Sequence, residues 1–394
     1  MPEPAQPIRV LQVISGLGMG GAETWLMEVL RRWAADGSVQ MDFLLTGGQP
    51  EIFDDEARAL GAKLYYLRYS RAHLSYFVRK YRELLRRGRY HAIHDHADYS
   101  AGWRMAMAAG TLPSVRAVHV HNPWLHISAN YAVSLGRRLA AMGGKSLVKT
   151  LASDVCGTSE EILCRYGFNP GKPGRPRVRV LHCGFDIGRF NAPRERDRAD
   201  VMAEFGWPAD TKMVLFAGRL DRALETTHPQ NHKNSWLALQ IARTAANMDP
   251  LVRLVMAGEG PSREALIRAV HDWGLGDRLK LVGIRRDMPA LMRAADVLLF
   301  PSAQEGLGMA AVEAQAAGLP VLASTAVPKE AIAIPSIYEA LPLDSPVKTW
   351  AERLLEIMDR PRPDHEACRA AIEASDFSIV RSAARLKALY RGDL

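Results

Sequence analysis

The chain has 394 residues, of which 48% are hydrophobic and 24% charged, a balance that suits two or three globular domains and excludes collagen, coiled coil or general disorder. Lysine and arginine outnumber aspartate and glutamate 51 to 43, and the net charge of +8 asks for an anionic partner: a nucleotide, a nucleic acid or an anionic membrane. Four cysteines without a CxxC pair (Cys156, Cys164, Cys183, Cys368) exclude a disulfide framework and read as reduced thiols of a cytoplasmic protein.

Along the chain, short apolar strands alternate with helical segments. Ile8–Ile14 reads as a buried strand and Gly21–Trp33 as a helix; further strand–helix units follow at about 40–60, 63–87, 91–110, 115–149 and 153–166. Prolines and arginines crowd residues 167–200, which read as a connection. Alternation resumes at Lys212–Ala217, with strands near 252–257, 279–282, 297–300 and 320–323. Such repetition predicts parallel, doubly wound sheets in two Rossmann-like halves. Residues 117–136 lack formal charge, but His119, His121, Asn122, Pro123, His126 and Asn130 argue against a membrane span. An N-terminus with Glu3 and three prolines is not expected to be a signal peptide.

Four motifs carry chemistry. Gly16, Gly18 and Gly21 fit GxGxxG between a strand and a helix, where backbone amides can approach a diphosphate. A dinucleotide site also wants an acid closing the second strand, and Asp42 falls before that strand's apolar run rather than after it. The run His94-Asp95-His96-Ala97-Asp98-Tyr99 nearly spells a dinuclear metal motif, but Tyr99 replaces the last ligand and no metal is expected. His119 and His121 lie at another strand end. Phe216-Ala217-Gly218-Arg219, followed by Lys233 before a helix, offers two cations to a phosphate pair.

The fourth motif is the most specific. A strand, Val297–Phe300, runs into a loop bearing Glu305, Gly306, Leu307 and Gly308, then a helix with Glu313 that ends at Gly318 before Pro320. Loop amides at a helix start bind phosphate oxygens, while carboxylates suit hydroxyl groups.

The run from Glu305 to Glu313 resembles the EX7E motif of the family 4 retaining glycosyltransferases, which have the GT-B fold. Phe216–Arg219, Ala257–Pro261 and Val282–Asp296 are similar to that family's C-terminal half. Gly20–Glu23, His119–Asn122, Thr158–Glu160 and Cys183–Asp186 resemble its N-terminal half. Within the family the chain looks most like enzymes of bacterial exopolysaccharide assembly.

The resemblance implies two Rossmann-like domains facing each other across a cleft: residues 1–190 for the acceptor and 191–375 for the donor. A C-terminal helix, about 376–394, would cross back to the first domain. It implies transfer of a hexose-type sugar from a nucleotide-diphosphate sugar, expected to be a UDP-sugar, to a saccharide or lipid-linked acceptor. Configuration would be retained, and neither metal nor cofactor would be needed. By position, Arg219 and Lys233 would neutralise the leaving diphosphate, Glu305 would hold the transferred sugar and Glu313 the ribose. Gly258 and the amides of Leu307, Gly308 and Met309, with Gly20 and Gly21, would bind the donor. His121, or His119 two residues away, would sit near the reacting carbon. Two departures stand out: the polar segment Arg222–Gln230 is long, and Cys183 stands where asparagine is commoner.

Two rivals compete with this reading. One is an NAD-dependent oxidoreductase using Gly16–Gly21, which leaves the cations and glutamates idle; the other is a catalytically silent nucleotide-sugar-binding partner. Nucleic-acid binding is not expected, because the aromatic residues do not interleave with the arginines. Arg79, Lys80, Arg82, Arg86, Arg87 and Arg89 among Phe77, Val78, Leu84 and Leu85 predict an amphipathic helix over 77–89, and residues 131–149 repeat the pattern. Both could rest on the anionic cytoplasmic face of the inner membrane.

Overall fold

A computed structural model describes residues 7–124, 127–128, 132–222, 225, 228 and 230–394. His126 and Asn130, and five of the nine residues 222–230, lie outside them. The chain divides into two compact units, one running to Asp186 and resuming at Asp376–Leu394, the other Ile187–Ser375.

In the first unit seven strands pair in parallel: β1 (Ile8–Ile14), β2 (Val39–Leu45), β3 (Leu64–Tyr66), β4 (Ala92–Asp95), β5 (Val115–Val120), β6 (Asp154–Gly157) and β7 (Arg177–Val180). Their order is β3-β2-β1-β4-β5-β6-β7, so the chain reverses direction between β1 and β4. Open α/β sheets leave a crevice at such a switch point, beyond the carboxyl ends of the strands. The strands read as apolar runs because helices cover both faces; Leu11, Val13, Ile93, Val118 and Val155 are buried in one core with Phe77, Tyr81 and Tyr166.

In the second unit six parallel strands follow the same plan: β8 (Lys212–Ala217), β9 (Val252–Ala257), β10 (Leu279–Gly283), β11 (Val297–Phe300), β12 (Val321–Ser324) and β13 (Tyr338–Leu341). The order is β10-β9-β8-β11-β12-β13, and the direction changes between β8 and β11. Val214, Phe216, Leu254, Met256, Leu299 and Trp350 fill the core.

The expectation of a connection over 167–200 is corrected. That span holds β7 and a helix, Arg194–Phe205, which the arginines disguised. Arg177 and Arg179 reach the fully buried Asp154 at 2.8 and 3.5 Å, and both also bond the Leu394 carbonyl. These cations hold the sheet edge to the chain's end.

The last helix, Ile379–Arg391, belongs to the first unit. Leu386 and Leu389 are fully buried, Trp25 Nε1 donates to Ser382 Oγ at 2.9 Å, and Gln12 donates to Tyr390 Oη at 2.9 Å. Gly184 is obligatory at this seam, since a Cβ there would stand 2.5 Å from Ser382 Cβ and 2.8 Å from Ser378 O. No helix among the described residues is long and apolar enough to cross a membrane.

Candidate active site

At the carboxyl ends of β8 and β11, either side of the second unit's switch point, the structure joins two motifs far apart in sequence. Lys233 Nζ lies 2.6 Å from Glu305 Oε1. Glu305 keeps 7% of its side-chain exposure and Lys233 25%, so the pair is well shielded from screening. Arg219, leaving β8, is 67% exposed and only 3.5 Å from Asp221 Oδ1.

Asp221 drew no attention in the sequence, yet it builds the site. Its Oδ2 accepts the His232 and Lys233 backbone N–H groups at 2.8 and 2.9 Å while its Oδ1 faces Arg219, so one buried carboxylate (3% exposed) sets both cations. Asn231 and Asn234 finish the turn. Asn231 Oδ1 accepts the Asn234 N–H at 3.0 Å, its Nδ2 donates to Asn234 Oδ1 at 3.0 Å, and Asn234 takes φ +55°, a left-handed value asparagine tolerates. The helix Ser235–Met248 follows directly. An aspartate two residues after Arg219 was the available signal.

Gly308 caps the helix Met309–Ala316 with φ +95°. Lacking a side chain, it offers the first-turn amides no side-chain acceptor; the Ala311 N–H turns to Gly308 O at 2.9 Å, and the Met309 and Ala310 amides stand at the positive helix start, where an anion can be bound. Leu307 is buried (3% exposed) and Glu313 half-buried on the same helix. Gly258 marks a close approach of two loops. Its N–H is committed to Gly283 O at 2.8 Å, and at φ +149° a Cβ would fall 1.9 Å from Gly218 O. It lets the loops after β8 and β9 touch.

In the first unit, Gly20 is the N-cap of the helix Gly21–Asp36, again without a side-chain cap. The surroundings of the preceding glycines are acidic. A Cβ at Gly16 would stand 2.3 Å from Glu51 Oε1, one at Gly18 2.6 Å from Glu51 Oε2, and one at Gly20 2.2 Å from Glu23 Oε2. Burial, with a smaller push from Glu51, raises the Glu23 carboxyl above its ordinary value. Two carboxylates against this turn oppose a dinucleotide diphosphate, which corrects the anion-facing expectation for Gly16–Gly18. Asp42 is likewise spoken for, fully buried and accepting from Tyr90 Oη at 2.8 Å and Lys63 N at 3.1 Å.

Four histidines converge where β4 and β5 end. His94, His96, His119 and His121 pack as neighbouring rings, with His119 and His121 centroids 4.0 Å apart. Trp25 meets His96, His119 and His121 at 5.4–6.1 Å. His119 is fully buried and neither ring nitrogen has a well-formed hydrogen bond, the Leu181 backbone being the nearest approach; His121 alone of that pair stays half-buried. Burial holds all four well below the usual histidine range, His121 at about 3.

Among the described residues, His94, His96 and His119 form one group able to hold a metal ion, with ligand atoms within 4.8 Å of one another. The fit is poor. Both His96 nitrogens are bonded at 2.8 and 2.9 Å, and the His94 and His119 planes stack at 9°, so they cannot both contain one ion. Of the rest of that run, Asp95 pairs with buried Arg104 at 2.5 Å and Tyr99 Oη donates to Tyr166 O.

Two family models match successive parts of the chain: Glycosyltransferase Family 4 over residues 19–189 and Glycosyl transferases group 1 over residues 211–359. The chain belongs to this glycosyltransferase family. The glycosyltransferase is 29% identical over 384 residues to the putative glycosyltransferase EpsF of Bacillus subtilis, covering 97% of this chain and 96% of that one. It is also 29% identical over 317 residues to the D-inositol 3-phosphate glycosyltransferase of Mycolicibacterium smegmatis, covering 77% and 67%. Among solved structures it resembles HepE of Anabaena in complex with UDP and glucose, with a TM-score of 0.72 at 20% identity over 98% of this chain and 100% of that one. Sucrose-phosphate synthase from Thermosynechococcus elongatus gives 0.72 at 22% identity, covering 98% of each. The glycosyltransferase therefore has the GT-B fold.

Proposed function

We propose that this glycosyltransferase moves a hexose-type sugar from a UDP-sugar to a saccharide or lipid-linked acceptor in exopolysaccharide or cell-surface glycan assembly, with retention at the anomeric carbon. The observation that carries the reading is the second unit's switch point: Arg219 and Lys233, both set by Asp221, beside Glu305 and the uncapped helix start at Gly308. Two cations and a row of amides suit a diphosphate, and the two glutamates suit sugar and ribose hydroxyls. The likeness of the motifs to enzymes of exopolysaccharide assembly supports that part of the reading, and HepE, of the same fold, is solved in complex with UDP and glucose.

In the proposed reaction the bond from the anomeric carbon to the diphosphate breaks while an acceptor hydroxyl attacks from the same face. The hydroxyl proton passes to the departing phosphate oxygen. Arg219 and Lys233 stabilise the charge that develops there, the kind of fixed electrostatic contribution that commonly dominates catalysis, and no metal is required. His121, too weak a base at neutral pH to take a proton, would serve near the reacting carbon as a neutral ring.

Work at the cytoplasmic membrane face is part of the proposal, but its surface shifts. The helix Leu74–Gly88 buries Phe77, Leu84 and Leu85 in the core, so residues 77–89 would offer a bilayer only charge, notably exposed Arg86, Arg87 and Arg89. The helix Leu135–Leu151 instead leaves Leu135, Leu139 and Met142 58–72% exposed beside Arg137 and Arg138.

The test is incubation with UDP-glucose, UDP-galactose and GDP-mannose, with chelator, following nucleoside diphosphate release and the product's anomeric proton by NMR. Release with an anomer matching the donor supports the proposal. An inverted anomer, or dependence on added metal, would refute those parts of it.

A further inference from the structure

Gln12, Met41 and Tyr390 are absent from every motif above, yet an unbroken chain of hydrogen bonds links them to His121. Gln12 Nε2 lies 3.3 Å from Met41 Sδ and 2.9 Å from Tyr390 Oη. Gln12 Oε1 lies 2.8 Å from His96 Nε2, and His96 Nδ1 lies 2.9 Å from His121 Nε2. At the other end Tyr390 Oη meets His94 Nδ1 at 2.8 Å. His121 Nδ1 faces Cys183 Sγ at 3.9 Å.

The direction of every bond follows from one group that can only accept. A thioether sulfur has no proton to give, so Met41 requires the amide's NH2 on its side and the carbonyl oxygen on the side of His96. His96 Nε2 must then carry a proton. Burial keeps His96 neutral, with a single N–H, so its Nδ1 is a lone pair and His121 Nε2 must be the donor. Neutral His121 is left with a lone pair on Nδ1, facing Cys183, whose buried thiol keeps its proton. On the far side Tyr390 accepts from Gln12 and donates to His94 Nδ1.

We propose that Gln12 and Tyr390 are positioning residues for the sugar transfer: with Met41 they fix the His121 proton on Nε2 and so hold its ring in one orientation. The role in transfer rests on the function proposed above; the tautomer does not. The chain also gives the last helix a task beyond packing, because Tyr390 lies 378 residues from the strand residue it bonds. Its oxygen keeps the amide's second N–H occupied and so favours one amide orientation. Cys183 fits the same scheme: a thiol at this position can donate to the remaining His121 lone pair.

The test is NMR of the whole protein labelled with 15N-histidine, in which protonated and unprotonated ring nitrogens are distinguished directly. Wild type is expected to show His121 as the Nε2–H form. Gln12→Leu removes the acceptor of His96 and should move the His121 proton to Nδ1. Met41→Leu, a volume-conserving change that threatens folding less, should bring out a second tautomer. With UDP-sugar and acceptor, Gln12→Leu should lower kcat roughly tenfold with the donor KM unchanged, the size of one lost hydrogen bond in the reacting geometry. Nδ1–H in wild type, or an unchanged tautomer in both variants, overturns the proposal. The expected tautomers in a wild type that transfers no sugar would uphold the relay and refute the transfer reading instead.

Discussion

Lys233 Nζ sits 2.6 Å from Glu305 Oε1, so the lysine expected to meet a phosphate is already neutralised by the glutamate expected to meet a sugar. On the proposed function, an arriving diphosphate would compete for that lysine and free the carboxylate for hydroxyl groups. Lys233→Ala should lower turnover by about 10²–10³-fold, as loss of one preorganised charge-stabilising donor does. It also strands a carboxylate that is 7% exposed, which should cost about 3 kcal/mol in urea unfolding. The double variant Lys233→Ala/Glu305→Gln should recover most of that stability and none of the activity. Equal stability of the single and double variants would show that the pair is not coupled.

Asp221 acts through the loop it holds. Asp221→Ala should raise the donor KM about tenfold, since two backbone N–H groups and Arg219 lose their common partner. Asp221→Asn keeps an oxygen for the two N–H groups and should fall between wild type and Ala in steady-state kinetics. A Lys233 loop that works equally well in all three would remove Asp221 from the account.

Gly258 and Gly274 separate a packing demand from a backbone demand. Both have positive φ, but a Cβ at Gly258 meets Gly218 O at 1.9 Å and one at Gly274 meets open space. Gly258→Ala should destabilise the protein by about 3 kcal/mol and Gly274→Ala by about 1 kcal/mol in urea unfolding. Similar losses at the two positions would contradict the close approach of the β8 and β9 loops.

The buried histidines make stability depend on pH above the carboxylate range. Unfolded, each takes a proton near the ordinary value of 6.5, whereas the fold holds His94, His96, His119 and His121 well below it. The unfolded chain then binds more protons, so their contribution is complete above 6.5 and is lost as pH falls through the lowered folded-state values, about 3 for His121. Each site adds a slope of about 1.4 kcal/mol per pH unit once its unfolded form is protonated. Urea midpoints at pH 7.5, 6 and 5 should fall steeply, and His119→Phe should make the fall shallower by one proton. An unchanged slope would mean that His119 does not stay neutral.

Both sheets and most strand boundaries were legible because parallel strands buried on two faces leave uninterrupted apolar runs, as in Met213–Phe216. Lys233, Glu305 and Glu313 could be singled out as candidates because two loops, each running into a helix, carry them within short stretches. What escaped notice depends on contacts distant in sequence or on surroundings. The arginines of β7 look like a linker until Asp154 is placed beneath them, and Glu51 must be brought against Gly16 before that turn reads as acidic. Gln12 and Tyr390 each look like ordinary core residues until the last helix returns to β1. The demand at Gly258 likewise shows only once Gly218 is brought against it.

If the second unit binds a nucleotide-diphosphate sugar through Arg219, Lys233 and the helix start at Gly308, that ligand must raise its stability. The decisive experiment is thermal unfolding against UDP-, GDP- and ADP-sugars, with NAD and NADP as controls and no added metal. One nucleotide-sugar should stabilise the protein, by about 2.7 kcal/mol at a hundredfold excess over its Kd. That stabilisation should vanish in Arg219→Ala and Glu313→Ala. Stabilisation by NAD alone, or a nucleotide-sugar effect that survives both substitutions, would contradict it.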